Sequence, residues 1–195
     1  MENNKIKIVF ATGNPHKLAE INEISKGTGV EFILPPEIFN PDETGETFEE
    51  NSYIKAKEAA KLSGCISLAD DSGLCVDALN GAPGIHSARY ADTPQARIDK
   101  LLKNLTPFGN RKAKFVCAMT LVDEFGNILN KEIGECYGQI AKNQSGINGF
   151  GYDPIFLVDG YNITMADMSE ELKNSISHRS VALNKMITYI QTNLM

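Results

Sequence analysis

Two carboxylates stand side by side at Asp70-Asp71, directly after the apolar run Ile66–Ala69 and ahead of Ser72-Gly73. Adjacent carboxylates behind an apolar strand are costly unless they meet a cation, hydrogen-bond donors or water. On an extended backbone their side chains point to opposite sides, so one can face a cleft while the other braces the backbone or a second metal-bound water. The same letters also describe an Asp-rich turn after a strand. Upstream, Asp42–Glu50 carries five acids in nine residues. Most of them suit a solvated helix start, where the helix dipole favours negative charge. Glu43, in Glu43-Thr44-Gly45, lies ahead of that helix, where it can swing into a cleft as a magnesium ligand. Magnesium takes one or two carboxylates together with waters and substrate phosphates, and Glu43 with Asp71 suits that pattern. From the local sequence alone, a solvated Glu43 is the plainer alternative.

Cations and aromatics supply the other half of such a chemistry. Thr12-Gly13-Asn14-Pro15-His16-Lys17 reads as a strand–turn–helix junction. A helix start offers unpaired N–H groups and a positive dipole end, Gly13 lets an anion approach the backbone, and the Lys17 ammonium lies in the first turn. The pattern is not a P-loop, and a capped turn with a solvated lysine fits it equally. Gly149-Phe150-Gly151-Tyr152-Asp153-Pro154 places an aromatic between glycines, a stacking platform for a base or a packed loop. Lys173, followed by Ser177-His178-Arg179 at the entrance of the last helix, puts cations where the dipole opposes them. That local cost makes sense when an anion binds between them. No Ser/His/Asp or Gly-x-Ser-x-Gly arrangement is present, and the three histidines form no metal-ligand spacing.

These residues need elements to hold them. Lys5–Thr12 reads as a strand, and Leu18, Ile21 and Ile24 recur at helical spacing after Pro15. A second strand covers Val30–Leu34. Thr47 with Glu50 forms a capping box and predicts a helix from about Phe48 to Leu62. Ile66–Ala69 reads as a short strand and Asn80–Asp92 as a loop. Thr93 and Pro94 open a helix with Ile98, Leu101, Leu102 and Leu105 on its apolar face. Ala113–Val122 and Ile128–Gly138 read as a hairpin across Asp123–Asn127. Pro154–Val158 is a further strand, Ser169–Ser175 one or two helical turns, and a last helix runs from about Ser180 with Leu183, Met186, Ile187, Ile190 and Leu194 on one face. The expected fold class is α/β: an elongated mixed sheet with flanking helices, two lobes and a central active-site cleft, all in a single domain over residues 1–195.

Composition narrows the class. The chain has 195 residues, 42% hydrophobic and 23% charged, with a net charge of −6. Such a chain can bury a full core, and its acidity argues against non-specific grip on nucleic acid. No apolar run reaches membrane-spanning length, and the N-terminus lacks a signal-peptide layout. The four cysteines form no CxxC pair, so they read as reduced thiols of a cytoplasmic protein.

In this order the segments TGNPHK, ETG, ENSYIKA, ADDSGLCVDALNGAPGIHSARYA, GFGYDPIF and SHRSVAL resemble the inosine triphosphate pyrophosphatase family, from Thr12 to about Leu183. The resemblance implies Mg²⁺-dependent hydrolysis of inosine, deoxyinosine and xanthosine triphosphates to the monophosphate and pyrophosphate, by a homodimer with an elongated two-lobed fold. It implies Asp71 as proton acceptor and metal ligand, with Glu43 as its metal partner and Asp70 close by as a further ligand. Thr12, Gly13, Asn14, Pro15, His16 and Lys17 would cradle the triphosphate, and Ser72 would contact substrate. Asn51 and Lys55, four apart on one helix face, would join them, with Lys55 adding phosphate charge. Phe150, Gly151, Tyr152, Asp153, Lys173, His178 and Arg179 would bind the nucleoside end, with Arg89 a structural or base-side cation.

Overall fold

The computed structural model describes residues 5–195. The first four residues, part of the N-terminal stretch considered above for its layout, lie outside the described residues. Strand β1 (Ile6–Phe10) leads into helix α1 (Pro15–Ile24) and strand β2 (Val30–Ile33). Asn14 caps α1 by accepting the His16 N–H at 2.9 Å, and Pro15 occupies the first helical turn, where its missing N–H costs nothing. Helix α2 (Phe48–Ser63) opens with the expected Thr47/Glu50 capping box and stops at Gly64, whose φ of +65° is left-handed. Helix α3 (Pro94–Leu105) is capped by Thr93. Strands β4 (Lys112–Val122) and β5 (Ile128–Ile140) flank the Asp123–Asn127 turn. Helices α4 (Glu170–Ile176) and α5 (His178–Asn193) close the chain.

Three expectations shift. Strand β3 spans Ser67–Val76, so Asp70-Asp71-Ser72-Gly73 lies mid-strand rather than in a turn. The loop after it contains two 3₁₀ turns, Asp77–Leu79 and Gly84–Arg89. Asp153–Ile155 is also 3₁₀, which shortens β6 to Phe156–Val158; Pro154 cannot donate to a ladder and suits a helical first turn.

The six strands form one mixed sheet in the order β2-β1-β3-β4-β5-β6, with β1 parallel to β2 and β3, and β5 antiparallel to β6. The chain falls into two compact units. The first gathers the chain up to Asp71 with Cys117–Gly134 and Arg179–Met195. Its strands alternate between two cores. Ile8, Phe10, Leu68, Met119 and Leu121 pack with Ile21 of α1 and with Leu183, Met186 and Ile190 of α5, whereas Val9, Ala11, Ala69 and Val122 pack on Ala56, Ala59 and Ala60 of α2. The second unit, Ser72–Val116 with Glu135–His178, has its own core of Leu74, Ile98, Leu101, Phe115, Ile155, Phe156 and Met165 among others. No helix among the described residues is long and apolar enough to cross a membrane.

Candidate functional site

The alternation of β3 decides which neighbours each carboxylate meets. Leu68 belongs to the core shared with α1 and α5, and Ala69 to the core shared with α2. Two residues further on, Asp70 takes the first side and Asp71 the second. Asp70 accordingly meets Lys17 of α1, whose ammonium lies 3.0 Å from each carboxylate oxygen, and Arg179 of α5, whose Nε and Nη2 donate to Oδ2 at 3.2 and 3.1 Å. Arg179 Nη1 also donates to Glu20 Oε2 at 2.6 Å. Burial alone would push the Asp70 carboxyl up, but Lys17, Arg179 and Lys55 together hold it far below the usual carboxylate range. Asp70 is therefore a locked anion.

Asp71 has the opposite character. Its Oδ1 accepts from Lys55 Nζ at 3.3 Å, and its buried Oδ2 has no hydrogen-bond partner. The same ammonium donates to Glu43 Oε1 at 2.7 Å. Burial pushes the Asp71 carboxyl up; Lys55 pulls it back, while the Glu43 and Asp70 charges raise it further, and the net shift is upward. Burial works against charge on Lys55, yet Asp71, Asp70 and Glu43 outweigh it and keep it an ammonium. The adjacent Asp70 and Asp71 carboxyls are thus pushed in opposite directions, a division of environments that suits a site handling a proton.

Among the described residues no group of three or more His, Cys, Asp or Glu side chains is arranged to hold a metal. Glu43 and Asp71 are two carboxylates converging on one cation, and Asp71 Oδ2 is an orphaned buried acceptor. That donor set fits magnesium, which needs no third protein carboxylate when waters and phosphates complete its shell.

In the second unit, Phe150 is partly exposed at 38%. Its N–H donates to Asp153 Oδ2 at 2.9 Å, and Lys173 Nζ donates to the same oxygen at 2.9 Å while lying 4.6 Å from the Phe150 ring centroid. Gly149 (φ +73°) makes this possible, since a Cβ there would lie 2.0 Å from Asp153 Oδ2. The His178 imidazole stacks on Phe115, with ring centroids 4.8 Å apart and planes 12° apart. An aromatic face, a cation and an imidazole held in a fixed plane are what a flat heterocycle needs.

The sequence model of the Ham1 family matches residues 8–189. The chain belongs to the Ham1 family. Among curated relatives, the dITP/XTP pyrophosphatase of Bacillus cereus is 46% identical over 198 residues, covering 95% of each chain. The protein of the same name from Synechocystis is 43% identical over 180 residues, covering 92% of this chain and 93% of its own. Among solved structures, a HAM1 protein from Coxiella burnetii superposes with a TM-score of 0.89 at 41% identity, covering 96% of this chain and 99% of that one. The Staphylococcus aureus Ham1 protein superposes at 0.86 and 40% identity, covering the same 96% and 99%.

Within this Ham1 chain the expected site residues separate by burial. Lys17, Glu43, Lys55 and Asp71 come together around β3, and Ser72 follows Asp71 half-buried in the strand. Thr12 and Asn14 shape the α1 entrance: Thr12 Oγ1 accepts the Asn14 N–H at 3.0 Å. Gly13 and His16 are exposed there, beside Pro15. Four of the expected site residues are buried and bonded to protein partners. Asp70, expected as a metal ligand, has both oxygens taken by Lys17 and Arg179. Arg179, expected at the base, is 1% exposed and its guanidinium is spent on Asp70 and Glu20. Asn51, expected at substrate, is fully buried with its Oδ1 on the Gly45 N–H. Tyr152, expected in the stacking loop, is a core residue whose hydroxyl donates to the Ser87 carbonyl at 3.1 Å. Gly151, at φ +65°, is a turn residue, and Arg89 Nε donates to His86 Nδ1 at 3.2 Å. Two participants escape the sequence reading. Glu20 lies one turn beyond Lys17 on α1, a spacing that places both on one face. Phe115 reads only as a strand residue, and nothing in its spacing points to His178.

Proposed function

We propose that this chain is a Mg²⁺-dependent nucleoside triphosphate pyrophosphatase that hydrolyses non-standard purine nucleotides (ITP, dITP and XTP) to the monophosphate and pyrophosphate. The observation that carries this reading is the divided pair on β3: Asp70 locked by two cations, and Asp71 raised, with one buried oxygen free of hydrogen bonds. Family membership and the names of the relatives point the same way.

In this reading Glu43 and Asp71 would hold Mg²⁺, which would supply neutralising charge to phosphate oxygens. Asp71 orients a water molecule and takes its proton as the water oxygen bonds to the α-phosphorus and the bond to the pyrophosphate oxygen breaks. Lys17 and Lys55 offset negative charge on the triphosphate, with Lys17 steered by Asp70, and the exposed Gly13 in the Thr12–Lys17 turn lets a phosphate approach the backbone. Ser72 contacts the substrate next to Asp71. At the nucleoside end Phe150 and Lys173 cover the face of the base, and Asp153 fixes both. His178, held flat by Phe115, donates to a 6-oxo group and meets an opposing donor in the 6-amino group of adenine. Arg179 holds Asp70 and stands beside His178 at the nucleoside end. A homodimer, a cytoplasmic setting and an indifference to nucleic acid belong to the same proposal, supported by the family resemblance and by a net charge of −6.

The test is pyrophosphate release from ITP and ATP, with and without Mg²⁺, by the native chain and by Asp71→Asn. The expected result is metal-dependent release from ITP, far slower release from ATP, and loss of both in the variant. Equal rates on ITP and ATP would remove the base-pocket argument, and full activity in Asp71→Asn would remove Asp71 as the base.

A further inference from the structure

Asn51 is an oddity on α2. It is fully buried, and a buried amide is costly unless its oxygen and nitrogen are both used. Its Oδ1 accepts the Gly45 N–H at 2.8 Å, but its Nδ2 has no hydrogen-bond partner. The helix does not need Asn51 as a cap. Thr47 Oγ1 already accepts the Glu50 N–H at 3.1 Å, and Glu50 Oε2 accepts the Glu46 and Thr47 N–H groups at 2.7 and 3.3 Å. What Asn51 holds lies upstream of the cap, in the segment that carries Glu43.

Three consecutive backbone N–H groups, at Gly45, Glu46 and Thr47, are thus tied to two side chains of the first helical turn. The tie at Gly45 is close enough to demand glycine. A Cβ there would lie 2.7 Å from Glu50 Cβ, 2.8 Å from Asn51 Oδ1 and 3.0 Å from Asn51 N. Glu43 stands two residues earlier, and its carboxylate reaches Lys55 at 2.7 Å, one turn beyond Asn51 on the same stripe of α2. That stripe continues into Ala59, packed on the sheet with Val9, Ala11 and Ala69. The backbone of the Glu43 segment and the Glu43 side chain are therefore referred to one rigid helix face, by Asn51 and Lys55 respectively. The two ties differ in kind. A divalent cation competes with the Lys55 ammonium for the Glu43 carboxylate, whereas the Asn51–Gly45 hydrogen bond involves the backbone and is indifferent to what Glu43 binds.

We infer that Asn51 is a positioning residue that holds Gly45, and through it Glu43, in place for a divalent cation. This deepens the proposed function and rests on its assignment of Glu43 as a metal ligand. Residues that orient a ligand without touching the metal typically change metal affinity by about 10–100-fold when removed.

The experiment is Mg²⁺ titration by calorimetry into the metal-free chain, without nucleotide, for native, Asn51→Ala, Gly45→Ala, the double variant and Glu43→Gln. Hydrogen exchange at the Gly45 amide is followed in parallel. Asn51→Ala and Gly45→Ala should each weaken Mg²⁺ binding by about tenfold, the lower end of that range. The double variant should be no weaker than either, because both break one contact. The Gly45 amide should exchange faster in Asn51→Ala and stay protected in Asn51→Asp, which keeps an oxygen acceptor. Native affinity in Gly45→Ala or in Asn51→Ala, additive losses in the double variant, or an unchanged Gly45 exchange rate in Asn51→Ala overturns the inference. Native affinity in Glu43→Gln instead overturns the ligand assignment, a separate and recognisable failure.

Discussion

Changing Asp70 and Asp71 to asparagine, one at a time, should give opposite outcomes although the residues are adjacent. Asp70→Asn removes a carboxylate that accepts from Lys17 Nζ and from two nitrogens of Arg179, a side chain only 1% exposed. Removing one partner of a buried ion pair costs about 3–5 kcal/mol. Glu20 still serves Arg179 and the new amide oxygen can accept one bond, so the loss should sit near the lower end. For a chain of this length each kcal/mol moves the melting temperature by about 2–4 °C, which gives a fall of about 6–12 °C. The depressed carboxyl of Asp70 stabilises the fold above the ordinary aspartate range, and that stabilisation is lost as pH falls below the range toward the folded value. Asp71 runs the other way. Its raised carboxyl means that the ionised form is disfavoured in the fold, so its contribution is fully present at low pH and lost as pH rises past the ordinary range. Asp71→Asn should therefore melt at or above the native chain at pH 7, while pyrophosphate release falls by about 10²–10⁴. Thermal unfolding by circular dichroism from pH 3 to 8, with EDTA present, measures both, and both differences from the native chain should narrow toward pH 3. Equal destabilisation of the two variants at pH 7, or a native melting temperature in Asp70→Asn, would refute the reasoning from burial and pairing.

Three other expectations follow from particular contacts. Gly149→Ala places a methyl group 2.0 Å from Asp153 Oδ2 at a φ of +73°, so the KM for ITP should rise several-fold while Mg²⁺ affinity, measured without nucleotide, stays native. Thr47→Ala removes the oxygen that accepts the Glu50 N–H, and urea unfolding should show a loss of about 1 kcal/mol. Iodoacetamide at pH 8 should label exposed Cys65 first and leave Cys136 unlabelled in the folded chain, as read by peptide mass spectrometry. Burial, with Asp159 and Asp153 nearby, pushes the Cys136 thiol up to about 11, so its thiolate and its labelling should appear only as pH rises toward that value.

Much of the fold is legible in the sequence because its signals are local. The Thr47/Glu50 box, Pro15 and Pro94 at helix starts, and the hairpin across Asp123–Asn127 each contain their own cause within a few residues. The length of β3 is not local. Asp70-Asp71-Ser72-Gly73 has turn chemistry, and it stays extended in a fold where Lys17, Arg179 and Lys55, each distant in sequence, neutralise the two carboxylates. The same limit applies to the site. Glu43 and Asp71 pair by residue type, although the local sequence alone reads Glu43 as solvated, and Lys55 joins them only through the family resemblance. How deeply a polar residue is buried depends on which side of the sheet it meets, and the burial of Arg179, Asn51 and Tyr152 is not legible in their local sequence. Glu20 and Phe115 go unread for the converse reason, since each acts only through the residue it holds.

The charges around β3 favour the proposed dependence of triphosphate binding on a metal. Glu20, Glu43, Asp70 and Asp71 face Lys17, Lys55 and Arg179, four carboxylates against three cations, and every one of those cations has a carboxylate partner. An incoming triphosphate brings further negative charge to a cluster that is already negative in sum, and near a low-dielectric interior like charges repel strongly. Freeing Lys17 or Lys55 for phosphate would leave Asp70, Asp71 or Glu43 short of its counter-charge. Glu43 and Asp71 would hold a divalent cation, whose charge would neutralise both carboxylates and leave the Lys55 ammonium available to the phosphates. Nucleotide binding should then depend on the metal more steeply than on any single lysine. In EDTA the affinity for a non-hydrolysable ITP analogue should fall further than it does in Lys17→Ala with Mg²⁺ present, and equal losses in the two experiments would mean that the lysines, not the cation, set the charge balance.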